Sequence, residues 1–171
     1  MSAGPDIAIE ACAPDDLDAV AALVNAAYRG EGGWTNEVGV VDGPRTSSEA
    51  LKADLAQPQT AIFVLREAGE VAGCVRVDIE GEVAVIGMVA VRPGRQDQGL
   101  GRRLLDRAEA HARAEGARTA RMTVVSVRPL LIAWYERRGY GLTGERTPFH
   151  GDGRFGRPRQ PLELSVLEKQ L

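Results

Sequence analysis

Hydrophobic positions change their spacing several times along the chain, and each change predicts a new element. Strict alternation in DIAIEAC, which begins at Asp6, predicts a first strand. The next stretch, PDDLDAVAALVNAAY, opens with a proline and acidic residues. It then carries apolar residues three and four positions apart, which predicts a helix. A serine start and a shorter helical pattern in SSEALKADLA predict a second helix.

Three β-rich runs lie within the segment TAIFVLREAGEVAGCVRVDIEGEVAVIGMVAV, separated at EAGE and IEGE, and they predict an antiparallel meander. A long amphipathic helix follows, and RTARMTVVSV predicts another strand. RPLLIAWYERRGY predicts a short helix with Pro129 in its first turn and Gly139 as its stop. GLTGE and PLELSVLEK predict the last strands. This order of elements predicts an α/β (α+β) fold with a mixed, mostly antiparallel central sheet flanked by helices.

The size and charge of the chain restrict its class. Its 171 residues suit one domain spanning 1–171, and neither a repeat nor a linker divides it. A hydrophobic content of 44% with 26% charged residues is typical of an ordinary soluble globular protein. A net charge of −3 argues against binding to nucleic acid through overall charge.

Cysteines and apolar runs restrict the class further. Cys12 and Cys74 lie far apart, without CxxC spacing or a flanking His cluster, so neither a zinc site nor a disulfide framework is predicted. The N-terminal stretch lacks the basic start and apolar run of a signal peptide. Every apolar run falls well short of the roughly 20 residues that a membrane span needs. We therefore expect a cytoplasmic protein without a metal and without a membrane or nucleic-acid partner.

Two glycines stand at the mouth of the long helix, in the stretch VAVRPGRQDQGLGRRLLDRAEAHARAEG. Gly99 and Gly101 each cost about 1 kcal/mol relative to alanine at a helical position, which suggests a need for bare backbone. A Walker A loop is excluded because its lysine is missing, and a Rossmann fingerprint fails because Leu104 replaces the third glycine. Two interpretations remain: a structural strand-to-helix turn, or a phosphate cradle built from helix N–H groups.

The surrounding sequence resembles a known family. Gln96, Gly99 and Gly101 form Q-x-x-G-x-G between VAVRP and a long helix, which resembles the acetyl-CoA-binding motif of the GNAT superfamily of N-acetyltransferases. LLIAWYERRGYGLTGE is similar to the later family motif, in which a tyrosine-bearing helix ends in ER-x-G-[FY]. Two motifs in the family order, with a strand between them, make the resemblance specific over residues 71–145. It implies one N-acetyltransferase domain whose sheet is splayed near the fourth strand.

The resemblance also implies a site for acetyl-CoA as co-substrate. Strand backbone would meet the pantetheine arm at Val89, Ala90 and Val91, since two pantetheine amides can pair with a splayed strand. The resemblance places the pyrophosphate on Asp97, Gln98, Gly99, Leu100, Gly101 and Arg102. Three arginines are either further phosphate contacts or solvated surface side chains: Arg95, Arg102 and Arg103.

For the chemistry, the resemblance places Tyr135 beside the sulfur as general acid. A phenol with a pKa near 10 can protonate a thiolate whose conjugate acid has a pKa near 8.5. The alternative is a core tyrosine beside Trp134. A backbone N–H around Val89 could stabilise the oxyanion. Many relatives carry Asn seven residues before the tyrosine, whereas this chain has Arg128, which could still donate to the cofactor or point at the acceptor.

The general base is not identified by any motif. Four acids are candidates, although each is also a typical solvated surface residue: Glu31, Glu37, Asp42 and Glu82. Thr123 and Ser126, on the central strand, could position a water instead. His150 and Asp152 are too few ligands to predict a metal site in the late loop.

Two long segments without a regular pattern are expected to select the amine acceptor, Arg29–Arg45 and Thr147–Gln160, because loops on rigid scaffolds commonly carry specificity. The candidate acceptor-binding residues in and beside the first loop are Tyr28, Trp34 and Glu37. The late loop offers Phe149 and Phe155, and these aromatic residues could equally hold the loops in place by packing.

Several functions remain open. The first is an N-acetyltransferase that acts on a primary amine of a small molecule or on an exposed protein amine. The second is a transferase that uses another acyl-CoA, such as propionyl- or succinyl-CoA. The third is a non-catalytic acyl-CoA-binding sensor, suggested by Arg128 and by the lack of an evident base. The presence of Tyr135 favours an enzyme. The oligomeric state is undecided, although homodimers are common in the family.

Overall fold

The computed structural model describes residues 6–30, 37–96, 98–149 and 156–171. Within these ranges the helices are α1 (Leu17–Arg29), α2 (Ser48–Leu55), α3 (Leu100–Ala114) and α4 (Pro129–Glu136). The first five strands are β1 (Ile7–Ala11), β2 (Val41–Asp42), β3 (Thr60–Glu67), β4 (Glu70–Glu80) and β5 (Val83–Val91). The remaining strands are β6 (Thr119–Val125), β7 (Gly141–Pro148), β8 (Arg157–Pro158) and β9 (Glu163–Gln170).

One seven-stranded sheet organises the described residues, in the order β1-β3-β4-β5-β6-β9-β7. The β5–β6 pair is parallel, and the other neighbouring pairs are antiparallel. A parallel pair needs a long crossover connection, and α3 supplies it. The predicted mixed, mostly antiparallel sheet with flanking helices is confirmed.

Helices cover both faces of the sheet. On β3, Ile62 and Val64 join the apolar cluster built around α1, whereas Phe63 and Leu65 join the cluster built around α3. The two faces alternate because successive strand residues point in opposite directions. Burial on both faces explains why this strand reads as a continuous apolar run rather than as an alternating one.

The sheet opens between β5 and β6, in the fourth of the strands predicted from the sequence. Parallel pairing covers only Val83–Val85, although β5 continues to Val91. The β4–β5 register shifts where Cys74 and Arg76 oppose β5, and Met88 at that point has a φ of +54°. An extra residue in one strand bends it and leaves backbone groups unpaired. The end of β5 therefore pairs with β4 on one edge and borders a gap on the edge that faces β6.

Two short strands lie where the sequence predicted loops. Val41–Asp42 (β2) pairs antiparallel with Arg157–Pro158 (β8), and the Arg159 guanidinium binds the Asp42 carboxylate at 2.9 Å. A strand of two residues is too short to display a period of two, so the sequence pattern could not reveal it. This pairing joins the two predicted loops to each other.

No helix in the described part of the chain is long and apolar enough to cross a membrane.

Candidate active site

The N-terminus of α3, here called its mouth, begins at a glycine, so no side chain covers the backbone at that position. Gly99 is the N-cap of the helix and has a φ of +75°, in the left-handed region that favours glycine. A Cβ placed there would meet no heavy atom within 4 Å, so the backbone faces open space. The Gln96 amide donates from Nε2 to the Val91 carbonyl at 3.3 Å, which ties the turn to the end of β5. Asp97 lies outside the described residues.

Gly101 has a different local reason to be glycine. A Cβ at this position would lie 3.3 Å from Cζ2 of Trp134, on α4. The absence of a side chain lets the indole pack directly against the first turn of α3. The structural interpretation therefore applies to Gly101. Gly99, in contrast, has open space in front of it.

A cavity of about 360 Å³, the first cavity below, opens between β5, the mouth of α3 and α4. The predicted cofactor residues that line it are Val89, Ala90, Val91, Gly99, Leu100, Gly101 and Arg102. Gln98 is exposed and is not part of the lining. The splayed strand and the helix mouth thus face one common space.

Arginines surround the helix-mouth end of the first cavity. Arg95 and Arg102 line it as considered from the sequence, and Arg103 does not. Arg137 and Arg138 also line it, and sequence reasoning missed them because only the tertiary structure brings the end of α4 beside α3. The Arg95 guanidinium binds the Glu67 carboxylate, so the charge that phosphate groups require comes mainly from Arg102, Arg137 and Arg138.

The surroundings of Arg138 show how closely these cations lie to one another. Its guanidinium lies 3.7 Å above the Trp134 ring, and its Nη1 donates to the Trp134 carbonyl at 2.8 Å. Burial lowers the pKa of Arg138, and the nearby positive charges of Arg137 and Arg102 lower it further. An anion in the first cavity would offset this repulsion.

A second cavity, of about 400 Å³, lies on the other side of Tyr135. Both predicted loops contribute to it, with Glu37 from the first and Phe149 from the second, and the Thr123 side of β6 adds to the lining. Trp34, Phe155 and Glu31 lie outside the described residues, as do His150 and Asp152. The residues that line both cavities are Tyr28, Arg128, Leu131 and Tyr135.

Tyr135 is both a core residue and a cavity residue. It is 5% exposed and makes edge-to-face contacts with the rings of Trp134 and Tyr140, at centroid distances of 5.0 and 5.9 Å. Burial raises the pKa of Tyr135 well above its ordinary value, with a smaller contribution from Tyr28, and Arg128 opposes the shift. The hydroxyl therefore stays protonated, and the raised pKa makes it a weaker acid than a phenol with the ordinary pKa near 10.

Tyr28 connects α1 to the splayed strand. Its hydroxyl donates to the Val89 carbonyl at 3.4 Å, and burial raises the pKa of this phenol too. The guanidinium carbons of Arg45 and Arg128 lie 5.4 and 5.6 Å from the centre of its ring. Two cations therefore stand close to the boundary between the cavities.

Glu37 is a buried carboxylate between two arginines. Its Oε1 accepts from Nε and Nη2 of Arg29 at 2.9 and 2.8 Å, and its Oε2 lies 3.5 Å from Nη1 of Arg128. The carboxylate therefore holds Arg128 in place, 7% exposed, at the start of α4. The sequence showed that Arg128 stands where many family members have asparagine, but it did not show that Glu37 would pair with it.

The other base candidates lie away from both cavities. Asp42 binds Arg159 on the surface. Glu82 lies 3.5 Å from Arg118, and the side chains of Glu82 and Arg118 are each more than two-thirds exposed. Neither acid is part of either lining. Ser126 donates its hydroxyl to the Glu163 carbonyl at 2.7 Å. Of the hydroxyls considered from the sequence, Thr123 reaches the second cavity.

Comparisons with known proteins match this geometry. The model of the acetyltransferase (GNAT) family matches residues 33–140. The chain belongs to the GNAT acetyltransferase family. A curated member, an IAA acetyltransferase of Azospirillum brasilense, is 32% identical over 119 residues, which cover 68% of this chain and 72% of that protein. This GNAT chain is therefore an acetyltransferase.

Solved structures share the GNAT fold of this chain. The PaiA N-acetyltransferase of Thermoplasma acidophilum, solved in complex with coenzyme A, has a TM-score of 0.77 at 16% identity and covers 97% of this chain and 99% of its own. YncA of Salmonella typhimurium, solved with its cofactor acetyl-CoA, has a TM-score of 0.71 at 22% identity, with 97% and 94% covered. At these identities the likeness shows the fold.

Proposed function

We propose that this GNAT acetyltransferase is a single domain, residues 1–171, that transfers the acetyl group of acetyl-CoA to a primary amine. In this proposal Tyr135 is the general acid. The observation that carries the proposal is the position of Tyr135 on the boundary between two cavities. One cavity has bare backbone and arginines suited to a phosphorylated cofactor, and the other is formed with residues of both loops. A reaction between two substrates needs such a common boundary.

The residues of the first cavity fit acetyl-CoA. The pantetheine amides would pair with the Val89–Val91 backbone, which the splay leaves without a neighbouring strand on its β6 side. The pyrophosphate would meet the N–H groups at the mouth of α3, where the helix dipole favours an anion. Arg102 and Arg138 would add charge-assisted contacts. The coenzyme A and acetyl-CoA complexes of PaiA and YncA support this choice of cofactor.

The chemistry is an acyl transfer in which a C–N bond forms and a C–S bond breaks. The co-substrate supplies the thioester carbonyl, and the acceptor supplies an uncharged amine nitrogen. Tyr135 donates its proton to the leaving sulfur, and a β5 backbone N–H near Val89 stabilises the oxyanion. The amine loses its proton to water in the second cavity, beside Thr123, and the Tyr135 phenolate takes up a proton from solvent, which restores the phenol for the next turnover.

Replacing Tyr135 by phenylalanine tests the proposal, because it keeps the ring and removes the proton. Release of free CoA is measured with a panel of primary amines, and acetyl-CoA affinity is measured alongside. We expect kcat to fall by about 10²–10⁴-fold with little change in affinity. Tyr140→Phe is the matched control, since this buried neighbour lines neither cavity and loses the same hydroxyl.

The pH profile provides a second readout. Because the pKa of Tyr135 is raised above its ordinary value of 10, the hydroxyl stays protonated across the working range. The kcat of the parent protein should therefore rise as the amine loses its proton and should not decline below about pH 10. Near-normal kcat in Tyr135→Phe, with chemistry shown to be rate-limiting, would contradict the assigned acid. Acetyl-CoA binding without turnover of any amine would favour the sensor instead.

A further inference from the structure

Charged side chains divide the second cavity into two ends. The first, here called the basic end, consists of Arg29, Arg45, Arg128 and Glu37. The second, here called the acidic end, consists of Asp54, Asp78 and Arg76. Counted over these described residues, the basic end carries a net charge of +2 and the acidic end a net charge of −1. A cavity whose two ends differ in charge favours a ligand with the complementary distribution of charge.

The charged side chains of the acidic end form ion pairs with one another. Arg76 binds Asp54 through Nη1 and Asp78 through Nε, both at 2.7 Å. Each carboxylate in this cluster therefore already has a cationic partner, and the cluster links α2 to β4. An anionic ligand is therefore attracted to the basic end.

The basic end adjoins the position of the reaction. Arg128 and Tyr28 line both cavities together with Tyr135, and Arg45 lies over the Tyr28 ring. Among the described residues that line this end, the carboxylate is that of Glu37, which is shared between Arg29 and Arg128. An amine that reaches Tyr135 therefore brings its nearest substituents beside Arg45 and Arg128. An anionic group a few bonds from the amine would accept charge-assisted hydrogen bonds from these guanidiniums, which are stronger than the bonds that a neutral oxygen would accept.

We propose that the acceptor is an α-amino acid, and that Arg45 and Arg128 bind its carboxylate while its amino group faces Tyr135. This inference rests on the proposed function. A guanidinium donates two parallel hydrogen bonds to a carboxylate, so it fixes orientation as well as charge. The same positive charge disfavours a neighbouring ammonium, and it thereby helps to supply the neutral amine that attack requires.

The test compares L-amino acids with their α-carboxamides, which keep the amine and the side chain and lose the negative charge. Free CoA release gives kcat/KM, and calorimetric titration in the presence of CoA gives binding without turnover. We expect kcat/KM at least tenfold higher for the acid than for its amide. Arg45→Gln should abolish this ratio by raising KM for the acid, with acetyl-CoA affinity unchanged. Arg45→Lys, which keeps the charge but not the fork, should fall between them.

Arg118→Gln is the matched control, since Arg118 is exposed and lines neither cavity. Equal use of acid and amide, or turnover restricted to amines without a carboxylate, would overturn the inference and leave the proposed function standing. Amino acids that bind in an Arg45-dependent way without CoA release would support the carboxylate site and contradict the proposed function. Amino acids that neither bind nor react would overturn the inference.

Discussion

Gly99 and Gly101 illustrate how one residue type meets two physical needs within a single turn. Gly99 has a positive φ and open space before it, whereas Gly101 lies against the indole of Trp134. From the sequence, both glycines had the same helix-propensity cost and the same two explanations. The backbone conformation and the indole contact separate them, and neither is encoded in the local pattern.

Gly99 also provides a prediction at the residue scale. Asparagine tolerates a left-handed conformation better than most residues, so Gly99→Asn adds a side chain in front of the helix mouth at limited backbone cost. If the pyrophosphate binds there, the Kd for acetyl-CoA should rise more than tenfold, or about 1.4 kcal/mol. Gly94→Asn is the control, because Gly94 has a φ of +89° in the same turn and lies outside the first cavity. Equal affinities for the two variants would contradict the cradle.

Sequence reasoning singled out β5 and Tyr135, both of which line the first cavity, but it did not identify the charged side chains around them. Tyr135 belongs to a motif with fixed spacing, and the structure places it beside both cavities. The partnership of Arg128 with Glu37 joins residues that are remote in the chain, and so does the approach of Arg137 to the mouth of α3. Such contacts depend on how helices dock, which no local pattern records.

At the scale of elements, α1 and α3 followed from apolar periodicity because each has a long buried face, and the meander followed from its β-rich runs. The short helices α2 and α4 bury few residues and followed mainly from Ser47 and Pro129 at their starts. The β2–β8 pair did not, since two residues cannot display a period. The β5 bulge has no signal in composition either: Met88 is buried at a φ of +54° where glycine would be the expected residue. Its side chain fills the α1 side of the core, which favours methionine despite the strained backbone.

The β3–β4 hairpin carries a second non-glycine residue with positive φ. Glu67 pairs with Glu70, and the two loop residues Ala68 and Gly69 have φ values of +52° and +82°. This is the signature of a type I′ turn, which strongly prefers Asn-Gly. Ala68 is exposed, so Ala68→Asn should raise the free energy of unfolding by about 0.5–1 kcal/mol. Denaturant titration measures the change.

Activity should not respond to this substitution, because neither turn residue, Ala68 or Gly69, lines either cavity. Ala61→Asn, near the start of β3, is the opposing control, since asparagine is unfavourable in a strand and should destabilise the protein. Destabilisation by Ala68→Asn would show that the turn does not have the assigned conformation.

At the scale of the whole molecule, the splay that borders the first cavity also weakens the sheet. β5 and β6 share only three paired positions, so other contacts must join the two parts. A buried cluster supplies one: Glu109 on α3 accepts from the Tyr140 hydroxyl at 2.9 Å and from Lys169 Nζ on β9 at 3.0 and 3.1 Å. It connects the helix that packs on β4 and β5 to the far side of the split.

This cluster leads to a stability prediction. Glu109→Ala removes the only carboxylate of the cluster, which is 3% exposed, and leaves a buried phenol and an ammonium without their acceptor. Removing one member of a buried ion pair typically costs about 3–5 kcal/mol, and partial exposure of the Lys169 amine places this case near about 3 kcal/mol. Glu109→Gln, which keeps an acceptor oxygen, should lose less. Glu82→Ala removes the carboxylate of an exposed pair and should cost less than about 1 kcal/mol. Equal losses for Glu109→Ala and Glu82→Ala in denaturant titrations would mean that the split sheet is held together by apolar packing alone.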